Sequence, residues 1–541
     1  KGISNMKKIC LLLALIFVFS LSCFAGCGGS KNEGPKESQM LTNLKGKTIL
    51  TNQEKVIAEP TFELNRDVAV RTDMFSFGLL FSDGMMLQAN AVICIWGECT
   101  EDGGIAVEVG DTVCYGNVTD GKFVVWLNPV PYGNYTVNIY TASGRTYFDD
   151  VAFGEVFLMS GQSNMGMSVS ECLDPKSQTD VCIYQDIIDT YENDDLRYLK
   201  VWPSFGDEPI EELNGKDGQA WQPANFRTIG GMSACAFFFA KRMYELYEIP
   251  VGFVQSCMGG TYTVPWLPPE TYDDADHFYE GNAENNKFSC RYNTMIHPLR
   301  NFVFRGVVWY QGEGQNVGYY QNMSLLIESW RNNFGQDLKF HIVELPRFIA
   351  NSYQEWFEVR EQQARLAEDK NVSYSVNTDC GIFERDIENG YYNNGILGED
   401  GIHTPDKEPV GSRAADAFAA KFYDAVGTFT PPAIELASVT DGGVLLTYNV
   451  GESKLVLKNR NVGFEVSADG TTYSYAEPEI VSDNQVLLKT PLLGIRFVRY
   501  AYTYSCTEVF GGDGRPDEIK NLVCLYNEAG YPADQFLLEI K

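Results

Sequence analysis

Between residues 74 and 150, apolar and polar positions alternate in short runs (91–96, 105–109, 123–127 and 135–140), broken by Asp-Gly, Gly-Gly and Tyr-Gly-Asn turns. A period of two puts every second side chain on one face of a strand, so residues 73–150 are predicted to form an antiparallel, sandwich-like β-module. From Val151 the texture changes. The runs Val156-Phe157-Leu158-Met159, Val251-Gly252-Phe253-Val254, Gly306-Val307-Val308-Trp309-Tyr310 and His341-Ile342-Val343-Glu344-Leu345 are largely apolar without alternation, as strands covered on both faces are. Helical spacing recurs between and after them over 234–247, 320–334 and 407–426, the last with Val410, Ala414, Phe418 and Phe422 in phase. Buried strands alternating with helices predict an α/β fold, a three-layer αβα core with a parallel sheet over residues 151–430. After Pro431-Pro432, short strands return with turns at Asp441-Gly442-Gly443 and Asp469-Gly470. Residues 431–541 therefore read as a second sandwich-like β-module.

The N-terminal pattern is different again. Lys7 and Lys8 precede an almost wholly apolar run over 11–21, and Phe24-Ala25-Gly26-Cys27 follows. A basic start, a short apolar stretch and a small-residue site make 1–27 an export signal. Because Cys27 directly follows Ala25-Gly26, the expectation is a lipoprotein signal with Cys27 lipidated, rather than plain secretion with Cys27 incidental. The segment 28–72 reads as a tether, its first part rich in Gly, Ser, Lys, Asn and Glu. The expected location is the outer surface of a bacterial membrane.

Composition narrows the partners. The 541 residues carry a formal net charge of −30, which argues against nucleic acid as a partner, since that needs a basic surface. It leaves room for an anionic ligand held by one local arginine. Setting aside Cys10, Cys23 and Cys27, 11 of the 14 cysteines remain, an odd number that implies no compact disulfide framework. Cys94 and Cys99 are the closest pair, with no histidine nearby. Neither a metal site nor a cofactor is expected.

In a parallel sheet, ligands gather beyond the carboxyl ends of the strands, so the segments after the buried runs matter most. Gly161-Gln162-Ser163-Asn164-Met165 follows one of them. A serine there, beside a glycine that permits a sharp turn, can present a nucleophilic hydroxyl; a plain Ser-Asn turn or helix cap is the other reading. A serine nucleophile needs a base, and the chain has four histidines. His277 lies in an acidic surface stretch, His297 in the apolar Met295-Ile296-His297-Pro298-Leu299, and His341 at the start of a predicted strand. His403 sits in Asp400-Gly401-Ile402-His403, where the aspartate can fold back and orient the imidazole. Oxyanion donors are offered by the Gly259-Gly260 turn, after Val254-Gln255-Ser256-Cys257, and by Gln311, which follows the Trp309-Tyr310 run. Ser256 and Cys257 are minor rivals as nucleophile, and Gln311 could instead cap the strand end.

Taken together these segments resemble the sialate O-acetylesterase (SASA) branch of the SGNH hydrolases. The matching stretches are Gly154-Glu155-Val156 with Gly161-Gln162-Ser163-Asn164-Met165, and Gly259-Gly260-Thr261 with Trp266. Arg305 through Glu313, Trp356 through Gln363 and Asp400-Gly401-Ile402-His403 complete them. Phe81 through Gln88 and Leu525 through Ala533 extend the likeness over roughly 75–541. The resemblance implies a serine carboxylic-ester hydrolase, free of metal and cofactor, that removes acetyl groups from O-acetylated sugars. Ser163 would be the nucleophile, His403 the base and Asp400 its orienter. The N–H groups of Ser163 and of Gly259 or Gly260, with Gln311, would form the oxyanion hole. Gln162, Asn164, Trp266, Glu313 and Arg360 would bind substrate. The alternative is a glycan-binding surface lipoprotein without catalysis. This chain departs from the family at Met165-Gly166, where Met-Glu is common, at His297, where a small residue is common, and at Gly314-Gln315.

Overall fold

Six strands carry the N-terminal alternation: β1 Ile93–Cys99, β2 Gly103–Val109, β3 Thr112–Thr119, β4 Lys122–Leu127, β5 Gly133–Tyr140 and β6 Arg145–Gly161. The computed structural model describes residues 59–174, 181–216, 219–277, 284–314, 317–346, 356–380, 402–423, 430–458, 463–502 and 523–540. Antiparallel pairing runs β1 to β4, β4 to β3, β3 to β2, β2 to β5 and β5 to the first part of β6. The β3–β4 hairpin closes on Asp120 and Gly121, both at positive φ (52° and 74°), the conformation that a two-residue turn between twisted strands requires.

The change of texture at Val151 falls inside a single strand. β6 is alternately buried and exposed up to Asp150 and wholly buried from Val151 to Gly161. Asp150, at φ 55°, marks the bend between the two parts. The predicted division between residues 150 and 151 is therefore a change of environment along one strand. The antiparallel pairing with β5 runs on to Phe153, and parallel pairing with the core strands takes over from Glu155.

The parallel set comprises, besides β6, β7 Asn193–Lys200, β8 Val251–Cys257, β9 Gly306–Tyr310, β10 Lys339–Val343 and β11 Val372–Ser375. Its order is β7-β8-β6-β9-β10-β11, parallel throughout. Helices α1 Ser163–Gly166, α2 Ala234–Tyr247, α3 Tyr319–Phe334, α4 Trp356–Leu366 and α5 Glu408–Phe422 join or flank the strands. Ser233 caps α2, its hydroxyl accepting from the Ala236 N–H at 3.1 Å. The α2–α5 contact is close because of Gly411: a Cβ there would lie 2.5 Å from the Cys235 carbonyl oxygen. The protein is thus of the α/β class with one mixed sheet. The expected helix over 407–426 is shorter, ending at Phe422.

After residue 430 the chain forms short antiparallel strands around their own core, which includes Val444, Leu446, Phe464, Val498, Tyr500 and Phe536. This part is bonded to the parallel region. Gln535 accepts from Arg360 Nε at 2.6 Å, and the Tyr531 hydroxyl donates to Asp416 on α5. The ten described cysteines are all buried and unbridged. The predicted signal, Cys27 and almost all of the tether lie outside the described residues.

Candidate active site

Along the chain, β6 is followed first by the strands on one side of it, β7 and β8, and then by those on the other, β9 to β11. Loops leaving in opposite directions open a crevice beyond the carboxyl ends. At that crevice three strand ends are level, since Gly161 is in register with Cys257 of β8 and with Tyr310 of β9. The Gln162 N–H donates to the Tyr310 carbonyl and the Met258 N–H to the Gly161 carbonyl, both at 3.0 Å. Gly161 itself has φ +130°, and a Cβ on it would stand 2.1 Å from the Tyr310 oxygen. Only glycine makes this turn.

Ser163 emerges from the turn at the start of α1, partly exposed. Its Oγ lies 2.8 Å from His403 Nε2, within reach for direct proton transfer. Asp400 lies outside the described residues. From the β8 side, Gly259 approaches the serine so closely that a Cβ on it would be 3.2 Å from Ser163 Cβ, while the same direction at Gly260 (φ +68°) is empty. Among the described residues, the N–H groups of Ser163, Gly259 and Gly260 donate to no backbone acceptor.

Gln311 is fully buried beneath this surface. Its Nε2 donates to the Thr261 carbonyl at 3.3 Å, and its Oε1 accepts from the Thr263 hydroxyl at 3.4 Å. The side chain thus braces the 258–263 loop, and Nε2 carries a second hydrogen besides.

The residues expected to touch substrate sit elsewhere. Trp266 is completely buried, its Nε1 donating to Thr261 Oγ1 at 3.0 Å and its ring edge-on to Trp309. It has no face to offer a sugar. Arg360 is 2% exposed and is held against Gln535, so it ties the C-terminal part to α4. Gln162, Asn164 and Glu313 are buried as well. Asn164 Nδ2 donates to Glu313 Oε1 at 2.6 Å and to the Ile402 carbonyl at 3.0 Å. With its amide oriented so that nitrogen rather than oxygen faces these acceptors, Gln162 donates to Glu313 Oε2 at 3.0 Å and to the Thr261 carbonyl at 3.2 Å. These three form a layer beneath Ser163 rather than a substrate surface.

Lys407 joins that layer, its Nζ donating to Asn164 Oδ1. It was not singled out in the sequence, although a lysine next to a helix N-terminus opposes the helix dipole and so asks for a partner. Burial raises the Glu313 carboxyl to about 7, against the Asn164 hydrogen bond, backbone N–H groups and Lys407, which favour its charged form. Burial also lowers the Lys407 ammonium. The rivals fall away from the crevice: the Ser256 hydroxyl donates to the Met295 carbonyl at 3.0 Å, and Cys257 is buried with its thiol pushed up to about 11. Of the other histidines, His341 is buried between Ser373 and Ser375. His277 bonds the Tyr272 carbonyl on the surface. His297 is a half-buried neighbour of Glu211 rather than a core residue.

Residues 153–387 match the family model described as "Carbohydrate esterase, sialic acid-specific acetylesterase", a span that stops short of His403. The sialate O-acetylesterases of Pongo abelii and Homo sapiens are each 30% identical over 290 residues. Those alignments take in 48% of this chain and 53% of each relative, so the match spans about half the length of these proteins. The Mus musculus sialate O-acetylesterase is 26% identical over 546 residues, covering 86% of this chain and 94% of the relative. A crystal structure of a carbohydrate acetylesterase from Xanthomonas citri shares the fold, with a TM-score of 0.71 over 86% of this chain and 99% of that one, at 24% identity. Residues 153–387 thus match the model of the sialic acid-specific acetylesterase family, the family that the motifs resemble.

Proposed function

We propose that the protein is a carbohydrate O-acetylesterase working through a Ser-His-Asp acyl-enzyme, with Ser163, His403 and Asp400 as the triad. The observation that carries this reading is the 2.8 Å contact of Ser163 Oγ with His403 Nε2 at the mouth of the crevice. His403 takes the serine proton as Oγ attacks the acetyl carbonyl, and Asp400 orients the imidazole and stabilises its cation. The tetrahedral oxyanion rests on the Ser163 N–H and on the Gly259 N–H, whose residue lies nearest the serine, with the second Gln311 hydrogen as a further donor. The proton passes from His403 to the departing sugar oxygen. Water, activated by the same imidazole, then releases acetate and restores Ser163.

The names of the sialate O-acetylesterases and of the carbohydrate acetylesterase support an O-acetylated carbohydrate as the substrate class, and we propose O-acetylated sialic acid or an acetylated polysaccharide within it. We further propose export and lipid anchoring through Cys27, and a three-layer arrangement of the hydrolase core between β-sandwich modules. The test is acetate release from O-acetylated sialic acid, acetylated xylan, acetylated mannan, acetylated pectin and p-nitrophenyl acetate, by the wild type and by Ser163→Ala. The substitution should leave folded protein and lower hydrolysis by about five to six orders of magnitude. Wild-type protein that binds glycans but releases no acetate from any of them would establish the binding-only role instead.

A further inference from the structure

Both sequence neighbours of the nucleophile turn their side chains inward onto one carboxylate. Asn164 reaches Glu313 Oε1 at 2.6 Å, and Gln162, with its amide nitrogen turned to the carboxylate, reaches Glu313 Oε2 at 3.0 Å. Asn164 also donates to the carbonyl of Ile402 at 3.0 Å, and Ile402 immediately precedes His403. Its Oδ1 accepts from Lys407 Nζ, at the start of the helix that follows His403. The Glu313 backbone is fixed in turn, because its carbonyl accepts from Trp356 Nε1 at 3.2 Å. Every one of these side chains is at most 7% exposed.

We propose that Glu313, as a carboxylate, is a positioning residue that clamps Gln162 and Asn164 and so holds Ser163 in register with His403, making turnover depend on the ionisation of Glu313 as well as of His403. The inference rests on Ser163 being the nucleophile.

The chemistry requires the charged form. An ionised carboxylate accepts at both oxygens, and here each oxygen meets an amide N–H. Protonation converts one of them into a donor facing a donor, and one clamp arm is lost. Asn164 carries the effect to the base, because the same amide group spans Glu313, the residue before His403, and Lys407. The charged and titratable groups around Glu313 are Lys407 beyond Asn164, the buried hydroxyls of Tyr310 on β9 and Tyr319 on α3, and His403 across the serine. Burial holds the carboxyl near neutrality, at about 7, so weak acid is enough to open the clamp. A displacement of a reacting group by about 1 Å can cost on the order of a hundredfold in rate.

The experiment compares wild type, Glu313→Gln, Glu313→Asp and Lys407→Met, measuring kcat and KM for p-nitrophenyl acetate between pH 5 and 9 alongside melting temperature. In the wild type, log kcat should fall on the acid side with a slope approaching two, one proton for His403 and one for Glu313. Glu313→Gln should lower kcat by about 10- to 100-fold, leave KM within about twofold, and reduce that slope to one. Glu313→Asp keeps the charge and should keep the slope of two. Lys407→Met removes the cation that favours the carboxylate, so it should move the acid limb to higher pH, which keeps the question open to test should Glu313→Gln fail to fold. A risen KM with kcat intact would make Glu313 a substrate ligand and overturn the proposal. A lowered melting temperature with unchanged kcat and unchanged slope would make it a purely structural buttress and overturn it equally. Failure of the esterase reading shows separately, as wild-type protein without any hydrolysis that depends on Ser163.

Discussion

Among single residues, Gln311 and His341 give the sharpest tests. Gln311 is tied to Thr261 and Thr263, so Gln311→Ala should do two things at once. Loss of an oxyanion donor lowers kcat by about 10² to 10³, and loss of the brace lowers the melting temperature by loosening the 258–263 loop. A lowered melting temperature with normal kcat would remove Gln311 from the oxyanion hole and leave only the brace. His341 bears on acid stability. It is buried with Ser373 Oγ 2.9 Å from Nδ1 and Ser375 Oγ 3.0 Å from Nε2, and burial pulls it from its ordinary 6.5 down to about 3. A histidine whose folded value is depressed stays neutral in the native state while the unfolded chain takes up a proton. Its contribution is whole above pH 6.5 and is lost as pH falls towards 3, at about 1.4 kcal/mol per pH unit. Urea unfolding at pH 7, 6, 5 and 4 should therefore show a shallower acid loss for His341→Asn than for wild type. Equal slopes would mean that His341 is charged in the native protein.

At the level of elements, the chain disclosed its strand ends better than its inner surfaces. The α2 helix and β9 lie where apolar spacing put them, at Ala234–Tyr247 and Gly306–Tyr310. The Gly161-Gln162-Ser163 junction follows a buried strand as expected. What spacing could not give was direction. Asn-Asp-Asp-Leu-Arg-Tyr-Leu-Lys is too polar to suggest β7, yet Arg197 is buried there because its guanidinium bonds the Asp150 carboxylate and carbonyl. Trp266, Arg360 and Glu313 sit in the family's motifs, and polar or aromatic type alone does not reveal that they brace loops instead of lining a surface. The tightness of the Gly161 turn makes a prediction at this scale. Gly161→Ala places a methyl against the Tyr310 carbonyl and forces a left-handed backbone on alanine, so it should abolish hydrolysis and destabilise by more than about 2 kcal/mol. Near-wild-type unfolding and activity in that variant would mean the turn can relax.

For the whole molecule, the consequence of one strand serving two sheet regions is cooperativity. All the described residues fall within one compact unit. The C-terminal part is bonded in through Gln535, Tyr531 and the Asn527 amide, which donates to the Thr430 carbonyl at 3.1 Å. A fragment of residues 151–430 loses both the first part of β6 and the Gln535 hydrogen bond to the buried Arg360. Losing a hydrogen bond to a charged group costs about 1.5 to 3 kcal/mol, and with the shared strand cut the fragment should be largely unfolded, while the full chain melts in a single transition. Separate melting transitions in the full chain, or a stable and active 151–430 fragment, would show the parts to be independent.

The same strand also sets a reach. β6 runs from Arg145 to Gly161, a span of up to about 55 Å at roughly 3.3 Å per residue, with the antiparallel strands at its start and the serine just past its end. Residues 69–71 bond the start of that span, the Arg71 N–H donating to the Arg145 carbonyl at 2.8 Å. The antiparallel strands thus occupy the end of β6 remote from the serine, and the crevice opens at the other.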